Sequence, residues 1–162
     1  MAKFVDPAEL MFTDYEPNTN WRFRMLIGGI PTFVISKTTM PSADSGEIVI
    51  PHINMERYVK GKTKWKSITV DIIDSIVPSS AQACMEWLRL AHESLTGRDG
   101  YFDMYAKEIT IQILGPIGDV VSEWTLKGAW IKALDMSGRD WSSEDYSGIT
   151  LEIRYNIPVQ QY

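Results

Sequence analysis

The sequence predicts a mainly β protein, an antiparallel β-sandwich or barrel of about seven strands with one flanking α-helix at roughly 79–95. Three observations carry that reading. Apolar side chains recur at every second position in several short runs, glycine-rich turns separate the runs, and a single segment shows helical spacing.

Residues 1–19 read as an N-terminal arm, ending in the turn-forming stretch Glu16-Pro17-Asn18-Thr19-Asn20, and residues 20–162 as one β domain. In the first run Trp21, Phe23, Met25 and Ile27 alternate with Arg22, Arg24 and Leu26; Gly28-Gly29 then suggests a hairpin into a second strand over 32–38. Residues 39–53, punctuated by Pro41, Gly46 and Pro51, read as a long contact loop. A second hairpin is expected from strands at 54–60 and 65–73 around Gly61-Lys62-Thr63-Lys64. Within its returning strand Ile68, Val70 and Ile72 share one face, and Ser67, Thr69 and Asp71 the other.

The helix opens with a capping box, Ser79 followed by Gln82. Its apolar stripe is Cys84, Trp87, Leu88, Ala91 and Leu95, and Thr96-Gly97 ends it. Strands follow at Ile109–Ile113 and Val120–Lys132, then a polar loop, SGRDWSSEDYSG. In the last strand Ile149, Leu151, Ile153, Tyr155 and Ile157 alternate with Thr150, Glu152, Arg154 and Asn156.

Composition narrows the function classes. Hydrophobic residues make up 44% and charged residues 23%, ordinary globular values that argue against disorder. The formal net charge of −5 excludes a surface that traps phosphate everywhere. Six tryptophans suit broad β surfaces and subunit contacts. Cys84 is the only cysteine, which suits a reducing compartment, and no stretch approaches the roughly 20 apolar residues of a membrane helix. A soluble, cytoplasmically made product is the expectation.

Catalytic patterns are missing. The two histidines, His52 and His92, have no cysteine pair or HExxH spacing around them, so no metal or cofactor is expected. No G-x-S-x-G elbow occurs, and neither glycine cluster at 97–100 or 115–118 opens a helix after a strand as a phosphate loop would. Cys84 lies on the apolar stripe and reads as an inert, buried thiol. The basic run Arg57, Lys60, Lys62, Lys64, Lys66 fits a solvated hairpin, a nucleic-acid contact, or an acidic patch on a neighbouring subunit.

Taken in order, these segments resemble the tail tube proteins of contractile-tailed bacteriophages. NTNWRFRMLIGGIPTFVIS at 18–36 resembles the opening strands of that family, and Met40-Pro41 stands where it commonly has an apolar residue and proline. VIPHINMERYVKGKTKWKSITVDIID resembles its most distinctive stretch, EWTLKGAWIKALDMSGRDW its later strand and Asp-Trp-Ser turn, and ITLEIRYNI its closing strand. The match runs over 18–157 and departs at Ile131, where many members have proline.

The resemblance implies a structural, non-enzymatic virion protein whose hexameric rings stack into a tail tube, the conduit for genome ejection. It would be assembled in the host cytoplasm, with sheath, baseplate and tape-measure proteins as partners and double-stranded DNA passing through the lumen without specific binding. The type VI secretion ring protein and tube-initiating or tube-terminating rings are the neighbouring readings, and a β-barrel nucleic-acid binder the more distant one. On the tube reading the expected channel face is Ser67, Thr69 and Asp71, joined by Thr150, Glu152 and Arg154, a short polar and acidic lining. The expected ring-to-ring contacts are Phe4, Met11 and Phe12 in the arm, Ile48 and Ile50 in the 39–53 loop, and Arg57.

Overall fold

A computed structural model describes residues 16–162; the arm residues Phe4, Met11 and Phe12 lie outside the described part. In chain order the elements are β1 (Phe23–Ile27), a 3-10 turn (Thr32–Val34), β2 (Ile35–Thr38), β3 (Ala43–His52), β4 (Met55–Trp65) and β5 (Ile68–Ile73). Helix α1 (Ser80–Ala91) follows, then β6 (His92–Glu93), β7 (Arg98–Asp99) and the short α2 (Phe102–Tyr105). The chain closes with β8 (Lys107–Leu114), β9 (Val120–Met136), β10 (Gly148–Arg154) and β11 (Ile157–Gln160).

The main sheet runs β1-β8-β9-β10-β5-β2, every pairing antiparallel, and does not close into a barrel. Its hinge is the 17-residue β9. The first part of β9 pairs with β8, and its last residues pair with β10. β10 and β11 lie end to end along one edge of β9, because Arg154↔Trp130 and Ile157↔Lys127 continue a single register. At the corner Gly128 adopts φ +66°, and a Cβ there would stand 2.7 Å from Asn156 Nδ2, so a glycine lets the strand turn from one half of the sheet into the other.

The two halves bury their inner faces against each other as a sandwich, with Met25, Ile27, Ile109, Ile111 and Leu126 on one side and Ile68, Val70, Ile72, Leu151 and Ile153 on the other. Cys84 and Trp87 bring α1 into the same core, and Trp87 Nε1 donates to the Tyr105 carbonyl at 2.8 Å. The antiparallel β-sandwich with its flanking helix is therefore the architecture formed.

Several local expectations are corrected. The two strands around Gly28-Gly29 do not pair as a hairpin; β1 joins β8 and β2 joins β5, at opposite ends of the sheet. Segment 39–53 is not a loop: Ala43–His52 forms a strand, paired along its length with Met55–Trp65. Pro51 is tolerated because among the described residues this strand has a partner on one side only, and Pro51 lies near the hairpin tip. Gly61 is not in a turn but in a β-bulge inside β4.

The helix ends at Ala91, since His92 turns extended and pairs with Asp99, leaving Leu95 92% exposed. Ser79 does cap the helix, accepting from Gln82 N, but the Gln82 side chain turns forward to Glu86. Ile131, where the resemblance departs, continues β9 opposite Ile153 with its side chain buried.

Candidate assembly surfaces

Strands β2, β5, β10 and the second half of β9 form a four-stranded layer whose inner side is core and whose outer side is polar. The structure brings all six expected channel-face residues onto that outer side. Thr150 sits across from Asp71 and donates to its Oδ1 at 2.9 Å, although the two are 79 positions apart in the chain. Glu152 sits across from Thr69 and accepts from Ser67 Oγ at 2.7 Å, and Arg154 lies opposite Trp130.

Sequence reasoning missed Lys37, Lys132 and Asp135, which belong to the same surface. Lys37 is registered against Asp71 and Asp135 against Thr150, while Lys132 Nζ donates to Glu152 Oε1 at 2.8 Å. Period-two parity found β5 and β10, but β2 and β9 each carry a register shift here, so parity fails in them.

The outer face is not purely acidic. Lys37, Lys132 and Arg154 match Asp71, Asp135 and Glu152 in number, so these strand residues carry charge of both signs that cancels. The bonds from Lys132 and Ser67 hold the Glu152 carboxyl below the usual glutamate range.

This layer ends in two open edges. Among the described residues β2 pairs only with β5, and beyond Ala129 the strand β9 pairs only with β10. Backbone donors and acceptors at such edges are free to pair with another chain.

The β3–β4 hairpin is the second surface. Its base is anchored by Trp65, which packs on the core, and by Lys66 N donating to Ser42 O at 2.9 Å. The rest is exposed on both faces, including Ile48 (53%), Ile50 (40%), Met55 (73%) and Tyr58 (60%). A two-stranded hairpin is marginal in water, so apolar residues on both its faces mark it as a surface to be covered.

Gly46 stands opposite both Gly61 and Lys62, and the extra residue switches parity along β4. Arg57, Lys62 and Lys64 therefore share one face with Ile48, Ile50 and Val59, whereas Lys60 turns to the other with Glu47. Of the expected contacts, Ile48, Ile50 and Arg57 thus come together.

Burial pushes the Cys84 thiol up to about 11, and Lys107, lowered by burial, donates to the Gly28 carbonyl while standing 4.8 Å over the Trp87 ring. Among the described residues no group of three His, Cys, Asp or Glu side chains could hold a metal ion, and no helix is long and apolar enough to cross a membrane.

This architecture is shared with components of contractile injection systems. The anti-feeding prophage cap, a tube terminating cap, superimposes with a TM-score of 0.75 at 15% identity, covering 93% of this chain and 95% of that one. A chain of the PVC sheath-tube complex in its extended state gives 0.68 at 16% identity over 98% and 99%. In sequence, the chain is similar to the tail tube protein of Serratia phage KSP90, 25% identical over 120 residues, which are 73% of this chain and 68% of the relative. No family-wide profile matches. The resemblance to tail tube proteins read from residues 18–157 is matched both in a relative's sequence and in fold.

Proposed function

We propose that this chain is a structural subunit of a phage tail tube, closing head-to-tail into hexameric rings that stack into a hollow conduit for double-stranded DNA. The observation that carries the reading is the four-stranded layer with a polar, charge-balanced outer face between two open edges. Pairing β2 of one copy with the second half of β9 of the next extends the sheet around a ring. Six copies would give about 24 strands, a barrel too wide for side chains to fill, so it encloses an aqueous channel.

Ser67, Thr69, Asp71, Thr150, Glu152 and Arg154, with Lys37, Lys132 and Asp135, then line the lumen. Adhesion to DNA comes from unpaired cations neutralising phosphates, and a lining whose cations are matched by carboxylates lets the polyanion slide. The β3–β4 hairpin and the arm with Phe4, Met11 and Phe12 supply the contacts between rings. The role is structural rather than enzymatic, exercised in the virion tail after assembly in the host cytoplasm, with no cofactor. Sheath, baseplate and tape-measure proteins are the partners; similar folds occur in a sheath-tube complex and in a baseplate assembly.

Negative-stain microscopy of concentrated protein tests this directly, with rings or hollow rods expected. Deleting residues 47–60 should leave a folded monomer and abolish rods. Wild-type protein that stays monomeric at high concentration even with baseplate seeds would refute the proposal.

A tube-terminating ring is the second reading, favoured by the higher TM-score to the terminating cap than to the sheath-tube chain. It predicts single rings that stop rod growth when added to elongating tubes.

A further inference from the structure

The β-bulge in β4 creates a shaped hole. Gly46 and Gly61 face each other across it with no side chains between them, and a Cβ on Gly61 would stand 2.8 Å from the Gly46 carbonyl oxygen. An open trough of about 460 Å³ results, with Gly46, Ile48, Gly61, Lys62 and Lys64 among its lining. Its floor is apolar and backbone; its lining also holds Asp44, which stands across from Lys64, and Glu47, which turns to the other face with Lys60, so on the trough face Lys62 and Lys64 outnumber a single carboxylate. Among the described residues neither Lys62 nor Lys64 is in an ion pair.

The complementary shape is on the same chain, in the loop between β9 and β10. Trp141 projects from it with its side chain fully exposed (106%). The loop that carries it is held in place: Arg139 Nη2 bonds Asp74 Oδ2 at 2.7 Å, and Asp140 Oδ1 accepts from Ser142 N and Oγ at 3.0 and 2.9 Å. Glu144 and Asp145 follow in the same loop, Asp145 lining a cavity with Trp141, and neither has a cation partner among the described residues. An exposed tryptophan on a braced loop with an acidic flank has the character of an interface anchor.

Resting on the tube reading above, we infer that Trp141 of one copy seats in the Gly46–Gly61 trough on the hairpin of a second copy, with Glu144 and Asp145 against Lys62 and Lys64. Knob and hole sit on different parts of each chain, so the contact is heterologous and propagates from copy to copy instead of closing a two-fold dimer. The bulge is what makes it possible. In an unbulged strand Lys62 and Lys64 would share the face of Lys60, away from Ile48 and Arg57. The indole covers apolar surface that the isolated hairpin leaves wet, and the paired charges fix register.

The test measures the critical concentration for assembly by sedimentation, alongside the thermal midpoint of the monomer. W141A removes a side chain without intramolecular cover, and G46V fills the trough without a backbone clash, since a Cβ at Gly46 meets nothing closer than 3.8 Å. Each should raise the critical concentration about tenfold or more with the midpoint unchanged. K62E/K64E and E144K/D145K should each impair assembly by a similar factor, and the two combined in one chain should restore it. Wild-type assembly with no effect of W141A, or no rescue in the combined variant, overturns this contact and leaves the tube reading standing. Failure of the wild-type chain to assemble at all overturns both.

Discussion

Replacing Glu152 with glutamine probes whether the outer face of the β2-β5-β10-β9 layer is charge-balanced for a purpose. Glu152 accepts from both Ser67 and Lys132 and stands beside Arg154 on the same strand, so it holds two cations in check. Its loss changes the face from three cations against three carboxylates to a net charge of about +1 per subunit. In the proposed hexameric ring this amounts to about +6, and because each neutralised phosphate adds roughly 0.9 to the salt slope of binding, the slope should steepen by up to about 5 per ring engaged.

The assay is anisotropy of a short labelled duplex with assembled tubes across a salt series, together with ejection by phage carrying the variant. Wild-type tubes should not retain the duplex; E152Q tubes should hold it at low salt, and E152Q/K132M tubes should release it again. E152Q tubes that retain no more duplex than wild type, or retention that persists in the double variant, would refute the reasoning.

Acidity should reproduce the effect late. The Glu152 pKa is depressed by Lys132 and Ser67, so the ionised, balancing form is fully present above the ordinary glutamate range and is lost only as pH falls through the lowered value. Wild-type tubes should accordingly begin to hold DNA only at pH values below that range.

Two further predictions concern the core. Leu151 is fully buried at the centre of β10, so Leu151→Ala should cost about 2–5 kcal/mol and lower the thermal midpoint by roughly 5–15 °C in calorimetry. Cys84 is buried with its pKa pushed up to about 11 by loss of solvation, so in native protein at pH 8 it should alkylate far more slowly than in denatured protein. Equal rates in the two states, followed by mass spectrometry, would contradict the packing of α1.

Much of this molecule is legible from residue order. Alternation in 68–73 and 149–154 separates core side chains from polar ones correctly in both strands, because side-chain direction in a regular strand depends only on parity. The helix start is equally local, set by Ser79 and its bond to Gln82 N.

Pairing is another matter. That Thr150 meets Asp71, or that β1 and β2 part to opposite ends of one sheet, depends on segments distant in the chain, and nothing in the Gly28-Gly29 turn records it. The hairpin was obscured for a related reason. With both faces exposed, β3 has no burial alternation to betray it, and the bulge at Gly46–Gly61 resets parity midway along β4. Local periodicity therefore assigns faces within a strand, while partner, register and bulge are properties of two strands together. Those joint properties place Lys37, Lys132 and Asp135 on the polar outer face of the four-stranded layer and open the trough beside Lys62 and Lys64.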